Sequence, residues 1–235
     1  MRKFLTIAFF VTGGFFSGLP QQSIVIRNID SLQKSLSEAK DTQRVNVLNL
    51  LAKAYLYPVR TQNISPSAQY KAQKYINEAL PLARELYYGK GIGNAILNEG
   101  ILYLNKEKFE KSISSFKTAR AFLKQAGDKY AEASCLEYTG FSIHALGENK
   151  KAILYYDSAQ HLFLKLGDTS SAIYNMAWQG HCYFDLGNYN EAYKNRVYSL
   201  ESYKTDGHIS SNFHPCSLVQ PISGSWFAGS NNPVS

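Results

Sequence analysis

Glycine returns at a fixed interval of forty residues, and no other feature of the chain restricts its fold as tightly. Gly100, Gly140 and Gly180 form one series, and Gly127, Gly167 and Gly207 form another. Other columns keep the same step. Ile96, Leu136 and Met176 lie four residues before the first series, and Tyr103, Ile143 and Tyr183 lie three after it. Ser112, Ala152 and Ala192 follow, then Ala119, Ala159 and Ser199. Self-similarity at a fixed period marks an array of stacked units, each too small to bury its apolar faces alone.

The columns also predict what one unit is. Ile96, Gly100 and Tyr103 fall at i, i+4 and i+7, one face of a helix. A glycine inside a helix costs about 1 kcal/mol relative to alanine. Its recurrence therefore predicts a point where a second helix comes too close for a side chain, with Ser112, Phe116 and Ala119 as the facing stripe. Lys106-Glu107, Gly147-Glu148 and Gly187-Asn188 mark the turn between the two helices. Ala126-Gly127-Asp128 and Leu166-Gly167-Asp168 close each unit, because glycine readily takes the left-handed conformation that ends a helix. Each unit is then an antiparallel helix pair.

Four such pairs are expected over about 45–88, 91–128, 131–168 and 171–204, within a helical domain spanning 28–204 and preceded by a leading helix at 30–40. The glycine-rich stretch Gly89 to Gly93 follows no strand, lacks phosphate-loop spacing and reads as a loop between pairs. In the first pair Ala52 and Tyr55 match Gly100 and Tyr103 at an offset of 48, whereas Ala79 matches Ala119 at forty. That places about eight extra residues in the turn-rich stretch Pro58 to Ser67. In the last pair Arg196 stands where Phe116 and Tyr156 stand, which predicts an imperfect or partly exposed unit. From Thr205 the pattern stops, and 205–235, rich in Ser, Asn, Pro and Gly, reads as an irregular or disordered tail.

These columns resemble the tetratricopeptide repeat (TPR). Gly100, Tyr103, Phe109, Ser112, Phe116 and Ala119 stand at the family's Gly, Tyr, Tyr, Ala, Phe and Ala positions, and Gly180, Tyr183, Tyr189, Ala192 and Ser199 repeat the set. Asn149 departs from it in the middle unit. The resemblance implies an all-α fold, a right-handed α-solenoid of stacked antiparallel helix pairs, in a variety whose repeat is longer than the usual one. It further implies a concave groove lined by the first helix of each pair. By register that face holds Asn94, Leu97, Ile101 and Leu104, then Glu137, Phe141 and His144, then Tyr174, Ala177, His181 and Phe184. Some of these positions can equally serve the core between units. Arrays that clamp a terminal carboxylate need Lys with Asn or Arg there, whereas Leu97, Ile101, Glu137 and Phe141 suit an apolar or amphipathic segment of a protein or peptide. His144 and His181 could make that groove sensitive to pH.

The N-terminus reads as a secretory signal over 1–20. Arg2 and Lys3 precede the uncharged, mostly apolar run Phe4 to Phe16, and Ser17-Gly18-Leu19-Pro20 ends it. The run is short of the ~20 residues that span a bilayer. No Ala-x-Ala triplet marks a cleavage site, so an uncleaved anchor is the alternative, and it would be the chain's contact with a membrane. Either way the body is expected to be exported, to the periplasm or cell envelope. Signal, leading helix and long repeats together resemble the extracytoplasmic sensory region of bacterial two-component histidine kinases and related regulators; an independent envelope scaffold is the other expectation.

Few signs point to chemistry. Net charge is +7, of which Arg2 and Lys3 contribute two, and acids are interleaved throughout. No basic stripe of the kind nucleic acid requires is present. Cys135, Cys182 and Cys216 are an odd, widely spaced set, the first two at core-side positions of helical patterns. His208, His214 and Cys216 offer three metal-ligand types in the tail, a weak site. No nucleophile–base pairing or carboxylate pair can be placed on a common face. The expectation is a binding module without a catalytic centre, metal or cofactor, with self-association possible through the last pair.

Overall fold

The computed structural model describes residues 20–56 and 64–205. Among them the backbone forms nine helices and no strand: α1 (Pro20–Glu38), α2 (Asp41–Leu56), α3 (Pro66–Glu85), α4 (Gly89–Asn105), α5 (Phe109–Gln125), α6 (Lys129–Ala145), α7 (Asn149–Lys165), α8 (Thr169–Asp185) and α9 (Tyr189–Thr205). From α4 onward every helix has 17 residues. Connections of three residues set a beat of twenty, half the period of the sequence.

The connections explain the beat. The middle residue of each, from α3 to α9, has a positive φ: Tyr87 49°, Glu107 55°, Gly127 72°, Gly147 78°, Gly167 74° and Gly187 74°. The following N–H then reaches back into the preceding helix, Lys108 to the Tyr103 carbonyl at 2.9 Å and Asp128 to that of Leu123 at 2.9 Å. This arrangement satisfies carbonyls that a helix end leaves bare. Asp128 and Asp168 also open the next helix, their Oδ1 atoms accepting from the N–H groups of Ala131 (3.1 Å) and Ser171 (2.9 Å). Gly-Asp is therefore one device that stops a helix and starts another.

The recurring mid-helix glycines sit where the partner helix presses closest. A methyl group on Gly100 would lie 2.5 Å from the Phe116 ring, on Gly140 3.1 Å from the Tyr156 ring, and on Gly180 3.3 Å from the Arg196 side chain. Phe116, Tyr156, Leu123 and Phe163 are buried between their own helix and the inner helices. Each helix packs on its neighbours in the chain, and α4 also touches α2 and α6. The even-numbered helices thus form an inner layer and the odd-numbered ones an outer layer, an all-α solenoid of stacked pairs.

Three details differ from the sequence reading. Gly89 to Gly93 is not a loop but the first turn of α4. A methyl on Gly91 would meet Val45 of α2 at 2.6 Å, and one on Gly93 would meet Leu123 of α5 at 2.7 Å, so this run is glycine-rich because two helices crowd it. The leading helix begins at Pro20 rather than near Asp30, since no glycine or proline interrupts Gln21 to Ala39. Leu97, Ile101 and Leu104 are nearly closed to solvent and join the core that α4 shares with its neighbours on both sides. The signal reading (1–19), most of the Pro58 to Ser67 stretch and the tail from 206, with His208, His214 and Cys216, lie outside the described residues.

Candidate interaction groove

Of the eleven residues assigned to the groove by register, Leu97, Ile101, Leu104, Glu137 and Ala177 are buried. Asn94, Phe141, His144, Tyr174 and His181 are half-buried, and Phe184 is exposed. The floor at α4 is closed because α2 and α6 flank it. The open wall belongs to α6 and α8.

There the structure brings the candidates together around a residue that register had passed over. Trp178 lies 5.0 Å from Phe141, 5.6 Å from His144, 6.2 Å from Tyr174 and 5.1 Å from His181, ring centre to ring centre. Phe141 and Tyr174 meet it edge-on, the favoured geometry of aromatic pairs. At the wall's end His144 Nε2 stands 2.9 Å from Asp185 Oδ2. Behind it Asn175 donates from Nδ2 to Glu137 Oε2 at 2.7 Å, tying α8 to α6 through a buried carboxylate. Glu137, expected at the surface of the groove, is thus part of the seam between inner helices. Phe184 packs edge-on to Tyr189 at 5.5 Å, where the wall meets α9.

Trp178 was legible. Tyr174, Trp178, His181 and Asp185 fall at i, i+4, i+7 and i+11 of α8, a single stripe. Lys53 is a second such residue, 48 positions before Ile101 and so in the same column of the first pair. It stays open to solvent on α2, yet neighbouring helices strip away enough water to hold its ammonium below the ordinary lysine value, against the opposing pull of Asp128. Lys90 meets Asp128 at 3.0 Å, and that hydrogen bond raises its pKa.

Cys135 and Cys182 are buried free thiols, and burial pushes each up to about 12, so both are protonated and inert at neutral pH. Among the described residues no cluster of His, Cys, Asp or Glu could hold a metal ion, and no helix is long and apolar enough to cross a membrane.

No family model matches the sequence, and no curated protein matches it significantly. Solved structures share its fold. A Rap protein complexed with Competence and Sporulation Factor superposes with a TM-score of 0.66 at 18% identity, over 80% of this chain and 52% of that one. Aspartyl phosphate phosphatase F from Bacillus subtilis gives 0.65 at 14% identity, over 78% and 50%. A Podospora anserina putative kinesin light chain with nearly identical TPR-like repeats gives 0.54 at 10% identity, over 81% and 92%. The chain spans about half the length of the first two. At these identities the likeness establishes the fold, a TPR-like solenoid.

Proposed function

We propose that the protein is a non-catalytic module that holds an apolar or amphipathic segment of a protein or peptide along its inner face. The half-open aromatic wall of Phe141, His144, Tyr174, Trp178 and His181 carries this reading. Rings that lie on an inner surface without being sealed into the core gain about 25 cal/mol for each Å² of apolar area a ligand covers. The Rap structure, a similar fold solved with a bound factor, supports the class of function. We place the module in the cell envelope, as the sensory or interaction part of a signalling system, on the strength of the Met1 to Pro20 pattern and the length of the repeat.

Capture from an envelope extract tests the binding. Phe141→Ala and Tyr174→Ala should each release the captured partner, while Leu154→Ala, at a 67% exposed position on α7, should not. Retention by both inner variants would refute the groove. Fractionation of cells making the full chain tests the location; recovery in the cytoplasm, with Arg2 and Lys3 intact, would refute export.

A further inference from the structure

We propose that the inner wall of α6 and α8 is a subsite for a basic side chain, a lysine or arginine of the bound segment. The proposal rests on the groove reading above and adds the charge of the residue that fills it.

Charge differs between the outer helices α5 and α7 and the inner helices α6 and α8. The outer layer is cationic: α5 carries Lys111, Lys117, Arg120 and Lys124, and α7 carries Lys150, Lys151 and Lys165. Past Lys129 at its first position, α6 has no lysine or arginine, and α8 has none at all. These two inner helices hold Glu132, Glu137 and Asp185 instead. Glu132 is already neutralised by Arg120 at 3.3 Å and Lys129 at 3.1 Å, both at the edge of the layer. In a chain of net charge +7, the open aromatic wall of α8 and of α6 past Lys129 carries no lysine or arginine of its own.

The geometry suits a cation. The stripe of α8 runs from Tyr174 through Trp178 and His181 to Asp185, with Phe141 edge-on to Trp178 and Tyr156 of α7 stacked on it at 6.2 Å from behind the wall. Aromatic faces carry the negative side of the ring quadrupole, and a cation within about 6 Å of a ring centre is attracted to it, tryptophan most of all. A guanidinium can lie on such a face while its fork reaches a carboxylate. Asp185 stands at the end of the stripe with its side chain 35% exposed; its ion-pair partner among the described residues is His144, a cation only when protonated. The lysines of α5 and α7 repel the same segment from the outer face, so charge both attracts it inward and excludes the wrong docking.

Display selection with a library of short random peptides on the full chain tests this. Selected peptides should carry lysine or arginine beside aliphatic or aromatic residues. Replacing that basic residue by glutamine in the best binder should weaken it about tenfold, the size of one cation–π contact with a charged hydrogen bond. Raised salt should narrow the gap. Asp185→Asn should bring the two peptides within about threefold of each other while leaving the thermal melt unchanged, as suits a partly exposed side chain. If the selected peptides lack basic residues, or the glutamine version binds as tightly, the subsite is wrong and the groove stands. If nothing is selected above a blank surface, the groove falls too.

Discussion

The α4–α5 pair and the α8–α9 pair are laid out on the same step, helix for helix, and are filled differently. In the first, Phe116 is fully buried and its ring sits where a methyl on Gly100 would lie 2.5 Å away. In the second, Arg196 takes that column, and a methyl on Gly180 would lie 3.3 Å from the Arg196 side chain and from the Asn195 Cβ. α9 buries Ala192 and Ser199 but leaves Tyr189, Tyr193 and Tyr198 exposed at 64%, 70% and 59%. Phe109 and Ile113, the counterparts of Tyr189 and Tyr193, are half-buried and pack into core clusters together with Phe141 of α6. Backbone periodicity and packing are therefore separate properties. The first is set by turn residues every twenty positions, the second by what the next pair lays over each helix.

Substitutions at matched columns test that separation. Phe116→Ala should cost about 4 kcal/mol, the loss of a buried ring plus the cavity it leaves, whereas Arg196→Ala should cost under about 0.5 kcal/mol. Equal losses in urea denaturation would erase the distinction. Gly100→Ala forces the Phe116 ring to move and should destabilise by about 1–3 kcal/mol. Gly180→Ala should cost less than Gly100→Ala, since alanine's helix preference of about 1 kcal/mol offsets contacts at 3.3–3.4 Å with Arg196, Asn195 and the Ala192 carbonyl that are looser than the one with Phe116. Paired thermal melts read both.

Smaller effects sit in the turns. Glu107 holds a left-handed conformation that Gly187 provides freely in the last pair. Glu107→Gly should stabilise by about 0.5–1 kcal/mol and Gly187→Ala should destabilise by about 1 kcal/mol, checked by the shift in melting temperature. The thiols give a graded probe. In a Cys216→Ser background Cys135, in the central core, should react with a thiol reagent more slowly than Cys182 on α8, because local opening is easier beside the thinly packed α9. Both thiols favour the folded state while protonated. Their contribution is whole below their ordinary value of 9.0 and is lost as pH rises toward about 12.

The helix pairs were legible because their signals are local: glycine where a backbone turns left-handed, glycine where a ring presses in, aspartate where a helix begins. Gly89 to Gly93 misled because the same residue serves both purposes, and only the positions of Val45 and Leu123 tell them apart. The groove was half legible. Register finds Tyr174 and His181 of the α8 stripe but not Trp178, and it cannot say which positions a neighbour covers, so Leu97, Ile101 and Leu104 stood between groove and core until α2 and α6 were seen to bury them. The lack of lysine and arginine on α8, and on α6 past Lys129, was in the sequence all along, visible once the helices had been assigned to layers.

Hydrogen exchange of the backbone amides, resolved helix by helix, reaches the central claim most directly. If each pair is held by the one stacked on it, the amides of α5 should exchange at least about a hundredfold more slowly than those of α9, although the two helices have the same length. Equal protection of α5 and α9 would contradict the account.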